Sequence, residues 1–160
     1  MTSTKAIRLV NSTEKPKRKR NNLAPGSKIF LASVRSWAAN SIQGQCVKKG
    51  LIPLYINFGC VEILPIFDQV MVQLSSSAFR PIEVKCSHSV ELSDDEDRLV
   101  QALQVVALGN FDKSHVLLAD IIPPRLTYSV IRVIREFALA LEDLEFPCGF
   151  AQNLQLVEKS

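Results

Sequence analysis

An apolar stripe near the C-terminal end of the sequence constrains the fold of this chain most. From Pro124 to about Leu144, apolar residues recur every three or four positions, as on one face of an α-helix. The stripe consists of Leu126, Val130, Val133, Ile134, Phe137, Leu141 and Leu144. Burying one such side chain fully stabilises a fold by about 1.5–3 kcal/mol. We therefore expect a long final helix that provides the main packing surface of the protein.

Earlier segments with the same spacing predict the helices that pack against it. They are residues 27–42, 61–76, 99–108 and 113–121, with a short helix expected after Pro53. In the first of these helices, Ser27 is the predicted N-cap, Trp37 lies on the apolar face as a core anchor, and Arg35 lies on the other face.

The clearest local signal is a capping box at the start of the helix that ends at Gly109. Ser93 can accept a hydrogen bond from the backbone N–H three residues on, and Glu96 can reach back to the N-cap. Asp94, Asp95 and Asp97 complement the positive end of the helix dipole. Capping thus explains four consecutive acids without a bound cation, and the spacing of an EF-hand is missing.

Residues 80–86 have the alternation of a β-strand. Ile82, Val84 and Cys86 point to one side, whereas Glu83 and Lys85 point to the other. The apolar run at 51–56 is a candidate partner for a two-stranded pairing. Taken together, these segments predict an all-α, mainly helical fold. We expect a compact bundle of about five helices with a short extended segment near 81–86.

Charge is divided unevenly along the chain. Residues 1–28 carry eight Lys or Arg against one acid, a net charge of +7, and residues 29–160 carry eleven bases against fifteen acids, a net charge of −4. Residues 1–24 are polar and basic, and such a segment cannot bury enough apolar surface to offset the entropy lost on ordering. We predict a disordered basic arm over 1–24, a helical domain over 25–147 and a C-terminal tail over 148–160.

The arm contains the candidates for contact with nucleic acid or an anionic surface, namely Lys15, Lys17, Arg18, Lys19 and Arg20. Flexible basic segments bind phosphate backbones without reading sequence, because they release condensed counterions. Two alternatives are a targeting signal and a tail that only keeps the protein soluble. No aromatic residue interrupts the run, so base stacking is not predicted.

The four cysteines indicate a reduced compartment rather than a disulfide framework. Cys46, Cys60, Cys86 and Cys148 are widely spaced, and we expect at least three of them to be small core side chains. Cys86 and His88 lie two residues apart and could take part in metal or thiol chemistry. A closed zinc site needs four ligands, so no metal site is predicted.

No sequence motif indicates an enzyme. The chain contains no Walker loop, GxGxxG, GxSxG or HExxH motif, so neither a catalytic residue nor a cofactor is predicted. His115 stands beside apolar residues and is expected at the edge of the core or on the surface. The helices at 99–108 and 113–121 have a superficial likeness to a helix-turn-helix, but the second lacks the Arg, Asn or Gln of a recognition helix.

Five sequence elements carry a resemblance to a known family. They are Ile29-Phe30-Leu31-Ala32-Ser33-Val34-Arg35, Phe58-Gly59, Arg80-Pro81-Ile82-Glu83-Val84-Lys85-Cys86, Leu92-Ser93-Asp94-Asp95-Glu96, and Ala138-Leu139-Ala140-Leu141 followed by Phe146-Pro147. In the order of these five elements, the chain resembles a family of small all-helical bacterial proteins, of alphaproteobacterial type and unknown function. The resemblance implies a helical fold and a bacterial cytoplasmic setting but no mechanism. The family has several cysteines where this chain has Cys86-Ser87-His88.

These observations predict a non-enzymatic helical module that acts in the cytoplasm through protein–protein contacts. Self-association into a homo-oligomer is also an expectation. No apolar run reaches the length of a membrane span. The first alternative is an accessory nucleic-acid-binding protein that uses the basic arm. The second is a small metal- or thiol-dependent protein centred on Cys86 and His88.

Overall fold

A computed structural model describes residues 7–10 and 18–149. In these residues, six α-helices pack around one core and two short strands pair in parallel. The elements are β1 (Ile7–Val10), α1 (Pro25–Ile42), α2 (Val47–Phe58), α3 (Leu64–Ser77), β2 (Ile82–Lys85), α4 (Asp94–Ala107), α5 (Phe111–Leu118) and α6 (Thr127–Asp143). The predicted mainly helical bundle is confirmed.

The core forms where four helices each contribute one aromatic ring. Phe67 of α3 lies at its centre, with ring centroids 6.2 Å from Phe30 of α1, 6.0 Å from Tyr55 of α2 and 5.5 Å from Phe137 of α6. All four side chains are fully buried. The expected stripe on α6 therefore provides a main packing surface, and Trp37 is buried as predicted.

Strand β2 pairs with a partner that the sequence did not indicate. It lies parallel to β1, with Ile82 opposite Ile7, whereas residues 51–56 belong to α2, which continues through Pro53. The other edge of β2 is satisfied by α4, because the backbone N–H groups of Glu83 and Lys85 donate to the carboxylates of Asp95 and Glu96. The helix expected after Pro53 is therefore present, and the alternative of a pairing between 51–56 and β2 is wrong.

Of residues 1–24, for which a disordered arm was predicted, the structure describes residues 7–10 and 18–24, and these pack against the body. Ile7 is buried in β1, and Leu23 and Ala24 are buried against the bundle. The backbone of residues 18–20 pairs with residues 90–92, with N–O distances of 2.8 and 2.9 Å. Apolar contacts and backbone hydrogen bonds thus order these residues. Residues 1–6 and 11–17 lie outside the described part of the chain.

The start of α1 packs against the C-terminal end of the body. Ala24 occupies the N-cap in place of the predicted Ser27, whose hydroxyl instead donates to the carbonyl of Cys148 at 3.2 Å. Gly26 is required here, because a Cβ at this position would lie 2.5 Å from the Phe146 carbonyl oxygen. Cys148 is buried, so the body extends beyond the predicted boundary at 147. Residues 150–160 of the predicted tail lie outside the described residues.

None of the helices in the described part of the chain combines the length and the apolar character that crossing a membrane requires.

Candidate binding groove

A groove of about 530 Å³ lies between α1 and α2, and we call it the α1–α2 groove. On α1, the lining positions are spaced as on one face of a helix: Lys28, Leu31, Ala32, Arg35 and Ser36. On α2, Leu54 and Phe58 are one turn apart and line the opposite wall. The apolar side chains of both helices form a largely apolar surface in the groove, which we call its floor.

The end of the groove is formed by two segments distant in sequence. Arg20 and Asn21 come from a short 3₁₀ turn, and Ser87 comes from the turn that follows β2. The Arg20 guanidinium donates to the Ser87 carbonyl at 2.9 Å, which ties the two segments together. One cation of the basic run therefore belongs to this groove.

The groove is electrostatically one-sided. Its lining includes Arg20, Lys28 and Arg35, and none of the lining residues in the described part of the chain carries a carboxylate. Arg35 is already neutralised by a buried acid, whereas Lys28 is exposed and has no ion-pair partner in the described part of the chain. Lys28 and Arg20 therefore leave positive charge beside an apolar floor. This combination suits a ligand with both carboxylates and apolar groups.

Arg35 and Glu96 form a buried ion pair beneath the groove. Their side chains are only 2% and 0% exposed, and two N–O contacts of 2.9 and 3.0 Å join them. Arg35 also donates to the carbonyls of Ser89 and Glu91 at 2.7 and 2.9 Å. Arg35, which was predicted on the outer face of α1, therefore holds the turn after β2 against the bundle.

The capping box at Ser93 is confirmed, and its acids do more than cap. The Ser93 hydroxyl accepts from the Glu96 backbone N–H at 3.0 Å, and the Glu96 carboxylate accepts from the Ser93 backbone N–H at 2.9 Å. The same Glu96 carboxylate accepts from Arg35 and from the backbone of Lys85. One side chain thus connects α1, β2 and α4.

Asp95 forms a second polar centre at the same edge of β2. Both of its oxygens accept from the Arg80 guanidinium at 2.8 Å, and Arg98 and the Glu83 backbone N–H complete its partners. Burial opposes ionisation of Asp95, but the hydrogen bonds from Arg80 and Glu83 outweigh it and hold the pKa of this carboxyl below its ordinary value. The charged form of Asp95 therefore stabilises the fold.

We expect this pKa shift to govern part of the acid sensitivity of the protein. A carboxyl with a lowered folded-state pKa contributes full stability above its unfolded pKa of about 3.9 and loses it as the pH falls through the folded value. Asp95→Asn should lower the unfolding free energy by about 2 kcal/mol at pH 7. It should also flatten the decline of the unfolding free energy as the pH falls below about 4. Urea unfolding from pH 2 to 7 measures both effects. The exposed Asp112→Asn is the control, and an unchanged acid limb in Asp95→Asn would contradict the assignment.

Of the five predicted basic residues, the structure describes three, and these three differ in their surroundings. Arg18 forms an ion pair with Asp97 at 3.1 Å, Lys19 is exposed, and Arg20 lines the α1–α2 groove. Lys15 and Lys17 lie outside the described residues. The described residues on either side of 11–17 are Val10 and Arg18, and the backbones of both pair with the body.

The cysteines divide into two buried and two exposed, so the prediction of at least three core cysteines is wrong. Burial raises the pKa of Cys60 and raises that of Cys148 to about 12. Cys46 is exposed at the start of α2, where hydrogen bonds from the backbone of Lys49 and Lys48 lower the pKa of its thiol.

Cys86 and His88 are both exposed in the turn after β2. Within the described residues, no three His, Cys, Asp or Glu side chains are placed to share a metal ion. His115 is half-buried, as expected, and its Nδ1 lies 2.6 Å from the hydroxyl of Thr127. That hydroxyl also donates to the Pro124 carbonyl at 2.8 Å.

Sequence reasoning missed most of the groove residues. Lys28, Leu31 and Ala32 form a second stripe on α1 beside the core stripe, and this spacing was the available signal. Leu54 and Phe58 were assigned to a short helix without a specific role. Of the groove residues, only Arg20 was a predicted site residue, and the reason was its place in the basic run.

No protein-family model matches this chain, and no match was found among the curated proteins or the solved structures. The resemblance to the bacterial helical family therefore stays a prediction.

Proposed function

We propose that this protein is a non-enzymatic helical module that binds an acidic, amphipathic helical segment of a partner protein in the α1–α2 groove. The observation that supports the proposal most concerns the described residues: an apolar floor lies beside Lys28, which has no ion-pair partner among them, and none of those that line the groove carries a carboxylate. An amphipathic helix binds such a groove by laying its apolar face on the floor. Glutamate or aspartate beside that face would then lie near Lys28 and Arg20.

The distribution of polar groups favours a polypeptide over a single-headed amphiphile. Lys28 and Ser36 are eight residues apart on α1, about 12 Å along the helix axis, and Asn21 and Ser87 line another part of the rim. A fatty acid needs a polar contact at one end only. A peptide helix carries polar side chains along its whole length and can use all of these groups.

Lys28→Glu tests the proposal directly. The probe is a fluorescein-labelled helical peptide with Leu and Phe on one face and Glu on its flanks. We expect the substitution to weaken binding roughly tenfold, or about 1.4 kcal/mol, because it places a carboxylate beside the acidic flank. Fluorescence anisotropy at low and high salt measures the effect, and salt should weaken binding to the wild-type protein.

Lys113→Glu is the matched control, because it makes the same change of net charge at an exposed site on α5 that does not line the groove. Ala32→Glu adds a carboxylate to the groove itself and should also weaken binding. Equal effects of Lys28→Glu and Lys113→Glu would contradict the proposal. Equal affinity for a peptide with Lys in place of Glu would contradict it as well.

Three alternatives to a partner peptide predict different experimental outcomes. Binding of a DNA or RNA duplex that outcompetes the acidic peptide would favour an accessory nucleic-acid-binding protein, which the cations Arg18, Lys19 and Arg20 could serve. Stoichiometric zinc that is lost on Cys86→Ser would favour metal or thiol chemistry. Displacement of the peptide by sodium dodecanoate, which then occupies the groove, would indicate a lipid site. The cytoplasmic location remains a prediction.

A further inference from the structure

A second apolar surface lies where α4 ends and packs against α6. A groove of about 310 Å³ is lined there by Leu108, Phe111, Arg135, Ala138 and Leu139, among others, and we call it the α4–α6 groove. Leu108 is 66% exposed and Leu139 is 45% exposed. Exposed apolar side chains that surround one depression mark an interaction surface more strongly than scattered ones.

Acids collect near the C-terminal end of α6. Arg132, Arg135 and Glu136 precede Leu139, whereas Glu142 and Asp143 follow it in the last turn. These two acids work against the helix dipole, because carboxylates near the C-terminal end of a helix meet its negative pole. Within the described residues, none of these charged side chains forms an ion pair. Helix stability therefore does not account for the pattern.

One pair of opposite charges on this face is complementary to itself when the helix is reversed. Arg135 and Glu142 are seven residues apart on one face of α6, and positions 138 and 139 lie midway between them. If two α6 helices pack antiparallel about a two-fold axis at this midpoint, Arg135 of each copy faces Glu142 of the other. Leu139 of each copy then lies beside the groove of the other.

We propose that the α4–α6 groove and the exposed face of α6 bind a second copy of this chain in a two-fold symmetric dimer. Two-fold symmetry uses the same patch on both subunits, so each charge pair occurs twice. Leu139 enters the apolar groove at the centre, and the Arg135–Glu142 pairs define the antiparallel register at the rim. This surface is separate from the α1–α2 groove, so the dimer and the proposed partner can be tested independently.

Paired charge reversals test the dimer, with self-association followed by sedimentation velocity over a range of protein concentrations. R135E alone and E142R alone should each weaken the dimer at least tenfold, because each creates two like-charge contacts. The double variant R135E/E142R should restore the wild-type association. A mixture of the two single variants should also associate, because the carboxylate introduced at position 135 of one copy then faces the guanidinium introduced at position 142 of the other.

R125E is the matched control, because it reverses an exposed arginine outside this face and should leave association unchanged. L139D should abolish the dimer, and circular dichroism checks that each variant stays folded. A wild-type protein that sediments as a monomer at every concentration would overturn the proposal. The proposal would also be overturned if R135E and E142R left the dimer unchanged, or if R135E/E142R did not restore association.

Discussion

Replacing Arg35 by methionine should cost about 3–5 kcal/mol of unfolding free energy, a large part of the 5–15 kcal/mol that stabilises a typical domain. The substitution leaves the Glu96 carboxylate, which is 0% exposed, without its countercharge. It also removes the donors to the carbonyls of Ser89 and Glu91. Because these bonds hold the turn that supplies Ser87 to the α1–α2 groove, peptide binding should weaken together with stability.

Urea unfolding followed by the fluorescence of Trp37, the single tryptophan, measures this loss. Arg125→Met is the control and should change the unfolding free energy by no more than about 0.5 kcal/mol, because Arg125 is exposed. In the double variant Arg35→Met/Glu96→Gln, part of the loss should be recovered, since no buried charge is then left unpaired. If Arg35→Met behaves like Arg125→Met, the ion pair does not stabilise the fold as described.

Phe67→Ala should cause a loss of similar size, about 3–5 kcal/mol, by opening a cavity at the centre of the core. The Phe67 ring contacts the aromatic rings of α1, α2 and α6, so its removal loosens the packing of four helices at once. A loss of this size corresponds to a fall of roughly 10 °C in Tm for a domain of this length. Calorimetry and urea unfolding provide two independent measurements.

Phe67→Leu is the matched variant for this position, because it keeps an apolar side chain in the cavity and should lose clearly less. Val72→Ser is the control on the exposed face of the same helix, where Val72 is 47% exposed. Equal losses for Phe67→Ala and Val72→Ser would show that the aromatic cluster is not the centre of stability.

Most of the helical elements followed from local patterns. The α6 stripe, the capping box at Ser93 and the burial of Trp37 each depend on residues a few positions apart, so spacing alone was enough to predict them. The start of α1 was less accurate, because the hydroxyl of Ser27 has an acceptor in Cys148, 121 residues away. A good N-cap residue can be drawn away by a distant carbonyl that the local pattern does not show.

The candidate site was predicted much less well than the fold. The basic run suggested anionic contacts through a disordered arm, yet Arg18 is paired with Asp97 and Arg20 lines a groove with residues of α1 and α2. Composition indicates whether a segment can form a core of its own. It does not show that residues 7–10 and 18–24 can dock on a core formed by others.

Local patterns in the sequence were enough to predict the helical class of this protein, the long final helix and the capped start of α4, because apolar periodicity and capping act within one or two helical turns. The burial of Arg35, the joining of three elements by Glu96, and an α1–α2 groove whose described lining has cations without carboxylates became visible in the folded chain. Those features depend on polar groups brought together from distant parts of the chain, and packing alone selects which of them meet.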